Sequence, residues 1–185
     1  GYWYKQSNIL GSSGSRHASD KNRIFTENGN TERKDIVFTE KFRRYYPMKK
    51  SCIHIYCGDG KGKSTAVTGL AVRGSGRKVI FTQFMKDGKS SELKVLRELP
   101  GVTVLTCEKQ FGFFWNMTDE QKKEAADAYQ DLFDKATELA IKEDAFLLVM
   151  DEFMSCYNHG MLNQEKALEF LKNRPEGLEV ALTGR

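Results

Sequence analysis

The sequence predicts an α/β fold, with a mostly parallel sheet and helices on both of its faces. Three observations predict it. Short apolar or β-branched runs alternate with helix-like segments from Met48 onward. One of those runs, AFLLVM at 145–150, is continuously apolar, as a strand buried on both faces requires. Turn residues punctuate the boundaries, with GSG at 74–76 and Pro100-Gly101 as the clearest stops.

Residues 1–47 stand apart from this pattern. The stretch GSSGSRHASDKNRIFTENGNTERKD is rich in Ser, Asn, Gly and charge and keeps no period. It reads as a tag-derived leader or flexible extension, with Met48 as a natural start. Within it, DIVFTEKF at 35–42 reads as a short strand. From there the elements follow in order. CIHIYC (52–57) is a strand, and Lys63 to Val72 a helix. RKVIFTQF (77–84) is a strand, and Ser90 to Leu99 a helix stopped by Pro100. VTVLTC (102–107) is a strand. Thr118 opens a long amphipathic helix to about Lys142, and Gln121 completes a capping box with it. AFLLVM follows as a strand, then a helix from Asn163 to Asn173 broken by Pro175, then EVALT (179–183) as the last strand. Right-handed crossovers put the carboxyl ends of such strands along one edge, where ligands bind.

Composition narrows the function classes. The chain has 185 residues, 39% hydrophobic and 29% charged, with a formal net charge of +4. That suits one ordinary globular domain. The positive charges are spread out, which speaks against a nucleic-acid partner. No apolar stretch is long enough to span a bilayer, and no signal-peptide pattern opens the chain, so a cytoplasmic protein without membrane contact is expected. Cys52, Cys57, Cys107 and Cys156 form no CxxC pair, and reduced thiols are expected.

The stretch YCGDGKGKSTA (56–66) carries the chemistry. The standard phosphate loop is G-x-x-x-x-G-K-S/T. Here Gly62-Lys63-Ser64 is intact, but Cys57 occupies the first glycine position and Gly58 comes one place later. A bland reading is a glycine-rich turn. Three glycines, the GKS ending and the strand–loop–helix context together favour a polyphosphate site instead. Gly58, Gly60 and Gly62 let backbone N–H groups converge on phosphate oxygens, and the helix start adds its positive end. Lys61 and Lys63 supply charge, Ser64 supplies a hydroxyl for magnesium, and Asp59 and Thr65 complete the cradle. FLLVMDEF ends a buried strand in Asp151 and Glu152, placed to hold magnesium beside the phosphates.

No His-Asp or Ser-His arrangement offers a base, which leaves that role to an Asp or Glu if the reaction needs one. His54 is expected to be a packed core residue, and His159 lies in the turn-like YNHG. The segment QFGFFWNM (110–117) follows the third strand and holds four aromatics within five residues. It is either a hydrophobic cluster under a loop or a flat apolar surface for a large planar ligand.

GDGKGKSTA, TQFMKDGKSSELKVL, GFFW, VMDEF, LKNRP and ALTGR occur in this order. In these motifs the chain resembles the P-loop type ATP:corrinoid adenosyltransferases from about Met48 to Arg185, and the shifted loop is that family's own form. The resemblance implies a RecA-like sheet and a homodimer. It implies Mg2+, ATP and a corrinoid, cobalamin or a related ring, as cofactor and substrates, and a flavoprotein reductant that makes Co(I). Cobalt then attacks the 5′ carbon of ATP and triphosphate leaves. Lys63, Phe113 and Trp115 are the implied catalytic residues, the two aromatics crowding the lower corrin face to displace its axial base. Gly58 to Thr65 with Gln83, Lys86 and Glu92 line the site, and Ser64, Asp151 and Glu152 are the metal candidates. Relatives continue past the TGR that ends this chain, so part of the corrinoid edge is expected beyond Arg185. Two rivals stay open: a P-loop nucleotide kinase releasing ADP, and a RecA-like ATPase that binds nucleic acid.

Overall fold

The structure is a computed structural model that describes residues 51–107, 109–112 and 114–185. The leader and its strand at 35–42 lie outside these residues, as does Phe113. Five strands run in chain order: β1 (Ile53–Cys57), β2 (Val79–Gln83), β3 (Val102–Thr106), β4 (Leu147–Asp151) and β5 (Glu179–Gly184). The helices are α1 (Lys63–Gly74), α2 (Ser91–Glu98), α3 (Asp119–Lys142), α4 (Phe153–Asn158) and α5 (Gln164–Asn173), with a 3₁₀ turn at Phe114–Asn116. The strands form one sheet in the order β1-β5-β4-β2-β3, and every neighbouring pair is parallel. The α/β class with helices on both faces is therefore as the sequence predicts.

The period of two along the strands sorts side chains between two cores. Val79, Phe81, Leu147, Val149 and Ala181 pack with Val67 and Ala71 of α1 and Leu93 and Leu96 of α2. Ile80, Leu148, Met150, Val180 and Leu182 pack on the other face with Tyr129, Phe133 and Ala136 of α3, Phe153 and Cys156 of α4 and Ala167 of α5. Each buried Leu or Phe contributes about 1.5–3 kcal/mol over exposure, so the sheet is held firmly from both sides. Every residue of β4 is buried, in keeping with its apolar run.

β1 lies at the sheet edge and is only partly covered, with Ile55 54% exposed. This corrects the expectation for His54. It is not a core residue: its ring nitrogen lies 2.7 Å from Glu179 Oε2, and the ring stacks along Tyr56. The edge position explains it, since no strand covers that side of β1 among the described residues. One element is new to the sequence reading, the short helix α4 just after Glu152. Gly184 closes β5 with φ 147°, and a Cβ there would sit 2.6 Å from Met154 Cβ. Glycine thus lets α4 pack directly on the end of β5.

Candidate active site

The phosphate loop leaves the carboxyl end of β1 and opens α1. Gly58 and Gly62 adopt φ of 113° and 101°, a left-handed backbone that side-chain-bearing residues avoid. Gly62 is the N-cap of α1 and no side chain caps that end, which leaves the helix N–H groups to an incoming anion. Lys63 folds back over the loop and donates to the carbonyls of Gly58 and Gly60, the latter at 2.7 Å. Asp59, Gly60, Lys61 and Thr65 are exposed around it.

Asp151 ends β4, fully buried, and gathers donors from three elements and the loop after β2. Ser64 Oγ donates to its Oδ1 at 2.9 Å and Thr183 Oγ1 to the same oxygen at 2.6 Å. Gln83 Nε2 and Lys86 Nζ donate to Oδ2 at 3.2 and 2.7 Å. The Lys86 ammonium also donates to Ser64 Oγ at 3.0 Å. Sheet register makes this cluster: Gln83 pairs with Asp151 across β2 and β4, and Thr183 follows the Met150–Leu182 pair on β5. Burial pushes the Asp151 carboxyl up. Lys86, Thr183 and Ser64 outweigh it through hydrogen bonds and the lysine's charge, and hold the group below the usual carboxylate value.

Glu152 turns the chain with φ 59°. Its N–H donates to Thr183 Oγ1 at 2.8 Å, and its carboxylate accepts from Ser155 Oγ at 2.7 Å. A hydroxyl and a carboxylate already bonded to each other, at the mouth of a phosphate loop, form an all-oxygen donor set that suits magnesium. Ser64 and Asp151 meet that test. Glu152 instead faces α4.

The aromatic segment follows β3. Trp115 is 78% exposed. Phe114 supports it edge-on at 5.4 Å between ring centroids, and His159 stacks flat on Phe114 at 4.2 Å while meeting Trp115 edge-on. A cavity of about 360 Å3 lies between this segment and the Asp151 cluster, bordered by Lys86, Ser90, Gln110, Phe111, Gly112 and Tyr129. Burial pushes the Tyr129 phenol up to about 12, so it remains a neutral hydrogen-bonding group.

The sequence profile described as ATP:corrinoid adenosyltransferase BtuR/CobO/CobP matches residues 49–185. The chain belongs to this family. A corrinoid adenosyltransferase of Pseudomonas aeruginosa is 32% identical over 161 residues, covering 83% of this chain and 75% of that protein. One from Escherichia coli strain K12 is 28% identical over 139 residues, covering 74% and 69%. The corrinoid adenosyltransferase CobA of Salmonella typhimurium is 27% identical over the same length and the same shares.

Within this adenosyltransferase fold the structure brings together Gly58 to Ser64, Gln83, Lys86 and Asp151 along one sheet edge. Glu92 lies in the first turn of α2, partly exposed, and enters none of the bonds around Asp151. Thr183 and Ser90 escaped the sequence reading. Thr183 orients Asp151 and receives the Glu152 N–H; Ser90 Oγ donates to Gln83 Oε1 at 3.2 Å. Their signal was present, since both fall inside the family motifs TQFMKDGKSSELKVL and ALTGR. His159 lies in a turn, as the sequence predicts, and its ring supports the Phe114–Trp115 pair; its sequence position carries no sign of that. No helix among the described residues is long and apolar enough to cross a membrane.

Proposed function

We propose that this chain transfers the 5′-deoxyadenosyl group of ATP to the cobalt of a reduced corrinoid, with triphosphate as the leaving group. One observation carries the reading: at the carboxyl edge of the sheet, Lys86, bonded to Ser64 of the phosphate loop, borders the same cavity as Gln110, Phe111 and Gly112 of the aromatic segment that holds Trp115. The loop suits a polyphosphate, and the platform suits a large planar ring. Membership of the adenosyltransferase family supports both.

The cobalt of the Co(I) substrate supplies an electron pair to C5′. A cobalt–carbon bond forms, the C5′–oxygen bond breaks, and the electrons leave on triphosphate. Such a nucleophile needs no protein base, and the site's residues supply charge instead. Backbone N–H groups of Gly58 to Ser64 and the ammonium of Lys63 stabilise the negative charge that grows on the leaving group. Lys63 must release its loop carbonyls to do so. Ser64 and Asp151 would hold magnesium, which neutralises phosphate oxygens when bound. Trp115, with Phe113 as its partner, would crowd the lower corrin face and remove an axial ligand, easing reduction to Co(I). A flavoprotein is the proposed reductant, the working unit a homodimer, and the location the cytoplasm. The kinase and ATPase readings have no comparable use for the aromatic platform.

The test is anaerobic incubation with ATP, magnesium and chemically reduced corrinoid. The spectrum of an adenosyl-cobalt product is expected. An unchanged Co(I) spectrum, from protein that binds ATP, would contradict the reading.

A further inference from the structure

We propose that Lys86 is a built-in stand-in for the divalent cation: its ammonium holds the Ser64–Asp151 pair until a metal–nucleotide complex displaces it toward the neighbouring cavity. The proposal rests on the assignment of Ser64 and Asp151 to the metal. An ionised carboxylate offers about four lone-pair positions. Those of Asp151 are matched by four donors, Ser64 and Thr183 on one oxygen and Gln83 and Lys86 on the other. A cation reaches this pair only when one donor leaves.

The structure indicates which. Thr183 is fully buried and tied to the Glu152 N–H. Gln83 is fully buried and tied to Ser90. Ser64 is rooted in the first turn of α1. Lys86 alone carries a full positive charge, which a metal ion on the same oxygens would repel. It has a flexible four-carbon stem, and its side chain is 27% exposed. It also borders the cavity of about 360 Å3, so it has space to enter. Displaced there, its ammonium remains beside the phosphate loop and gains phosphate oxygens as partners.

The device has two consequences. The buried Asp151 keeps a counter-charge at every stage, and a leftover unpaired charge would be costly. Bare metal ions bind poorly, because only a nucleotide brings new partners for the displaced lysine. Lys86 is thus a positioning residue that couples metal entry to nucleotide entry.

Manganese binding, followed by electron paramagnetic resonance on the whole chain, reads this directly. Without nucleotide, Lys86→Met and Lys86→Gln should bind Mn2+ about tenfold or more tightly than the native protein. Added Mn2+ should raise the thermal midpoint of these variants more than that of the native chain. With ATP the native protein should bind Mn2+ readily. If it does, yet the variants bind Mn2+ no better than native without nucleotide, the stand-in role is wrong and the metal assignment survives. If the native protein fails to bind Mn2+ even with ATP, the metal assignment falls and the proposal with it. A measurement on native protein covers variants that do not fold. In 15N-lysine-labelled chain, a slowly exchanging ammonium resonance should shift on addition of magnesium and ATP, and an unmoved resonance would overturn the proposal.

Discussion

Asp151 sits fully buried at the end of β4 and keeps its charge because Lys86, Thr183 and Ser64 reach it. Its folded-state carboxyl lies below its ordinary value, so it binds its proton less readily than in the unfolded chain. The stability it contributes is present above the unfolded value of about 3.9 and is lost as pH falls through the folded one. In metal-free buffer, native denaturation midpoints should therefore fall as pH drops below about 4. Asp151→Asn should show a shallower acid dependence and a lower midpoint at neutral pH, where Lys86 is left without its counter-charge. Equal acid slopes would contradict the account. Trp115 is the opposite kind of residue, exposed and bound to little. Trp115→Ala should change stability by no more than about 0.5 kcal/mol. Activity from Co(II) with an enzymatic reductant should drop far more than activity from prereduced Co(I). Equal losses would remove the axial-ligand role.

At the scale of elements, α3 joins the aromatic segment to the core, with Phe111 edge-on to its Tyr129. Its start is fixed by Thr118, whose hydroxyl accepts from the Gln121 N–H while Gln121 returns a bond to the Thr118 backbone. Thr118→Ala should cost about 1 kcal/mol in chemical denaturation, and no loss would show that packing alone sets this boundary. That capping box was legible in the sequence, as were the five strands and four of the helices, because period and turn residues mark them. Helix α4 was not. It has six residues and begins at a left-handed Glu152 with no side-chain cap. Only Phe153 and Cys156 are buried, too few positions to reveal a period.

For the whole molecule, alternation of strand and helix foretold a parallel sheet but not its order. β5 inserts between β1 and β4. That insertion carries Thr183 to Asp151 and sets the β1 loop beside both. The phosphate loop and the acidic strand end were readable because each is a local motif. The cluster joining Ser64, Gln83, Lys86, Asp151 and Thr183 was not, because it depends on which strands are neighbours. The aromatic segment follows β3 at the same edge, and its residues Gln110 to Gly112 share a cavity with Lys86 of that cluster. The proposed transfer makes the ribose carbon the electrophile, and the phosphate chain leaves whole.

Phosphorus-31 resonance of the by-product tests this most directly. With ATP, magnesium and Co(I) corrinoid under anaerobic conditions, intact triphosphate should accumulate in step with alkylated cobalt. ADP and inorganic phosphate in its place, with the corrinoid unchanged, would contradict the account.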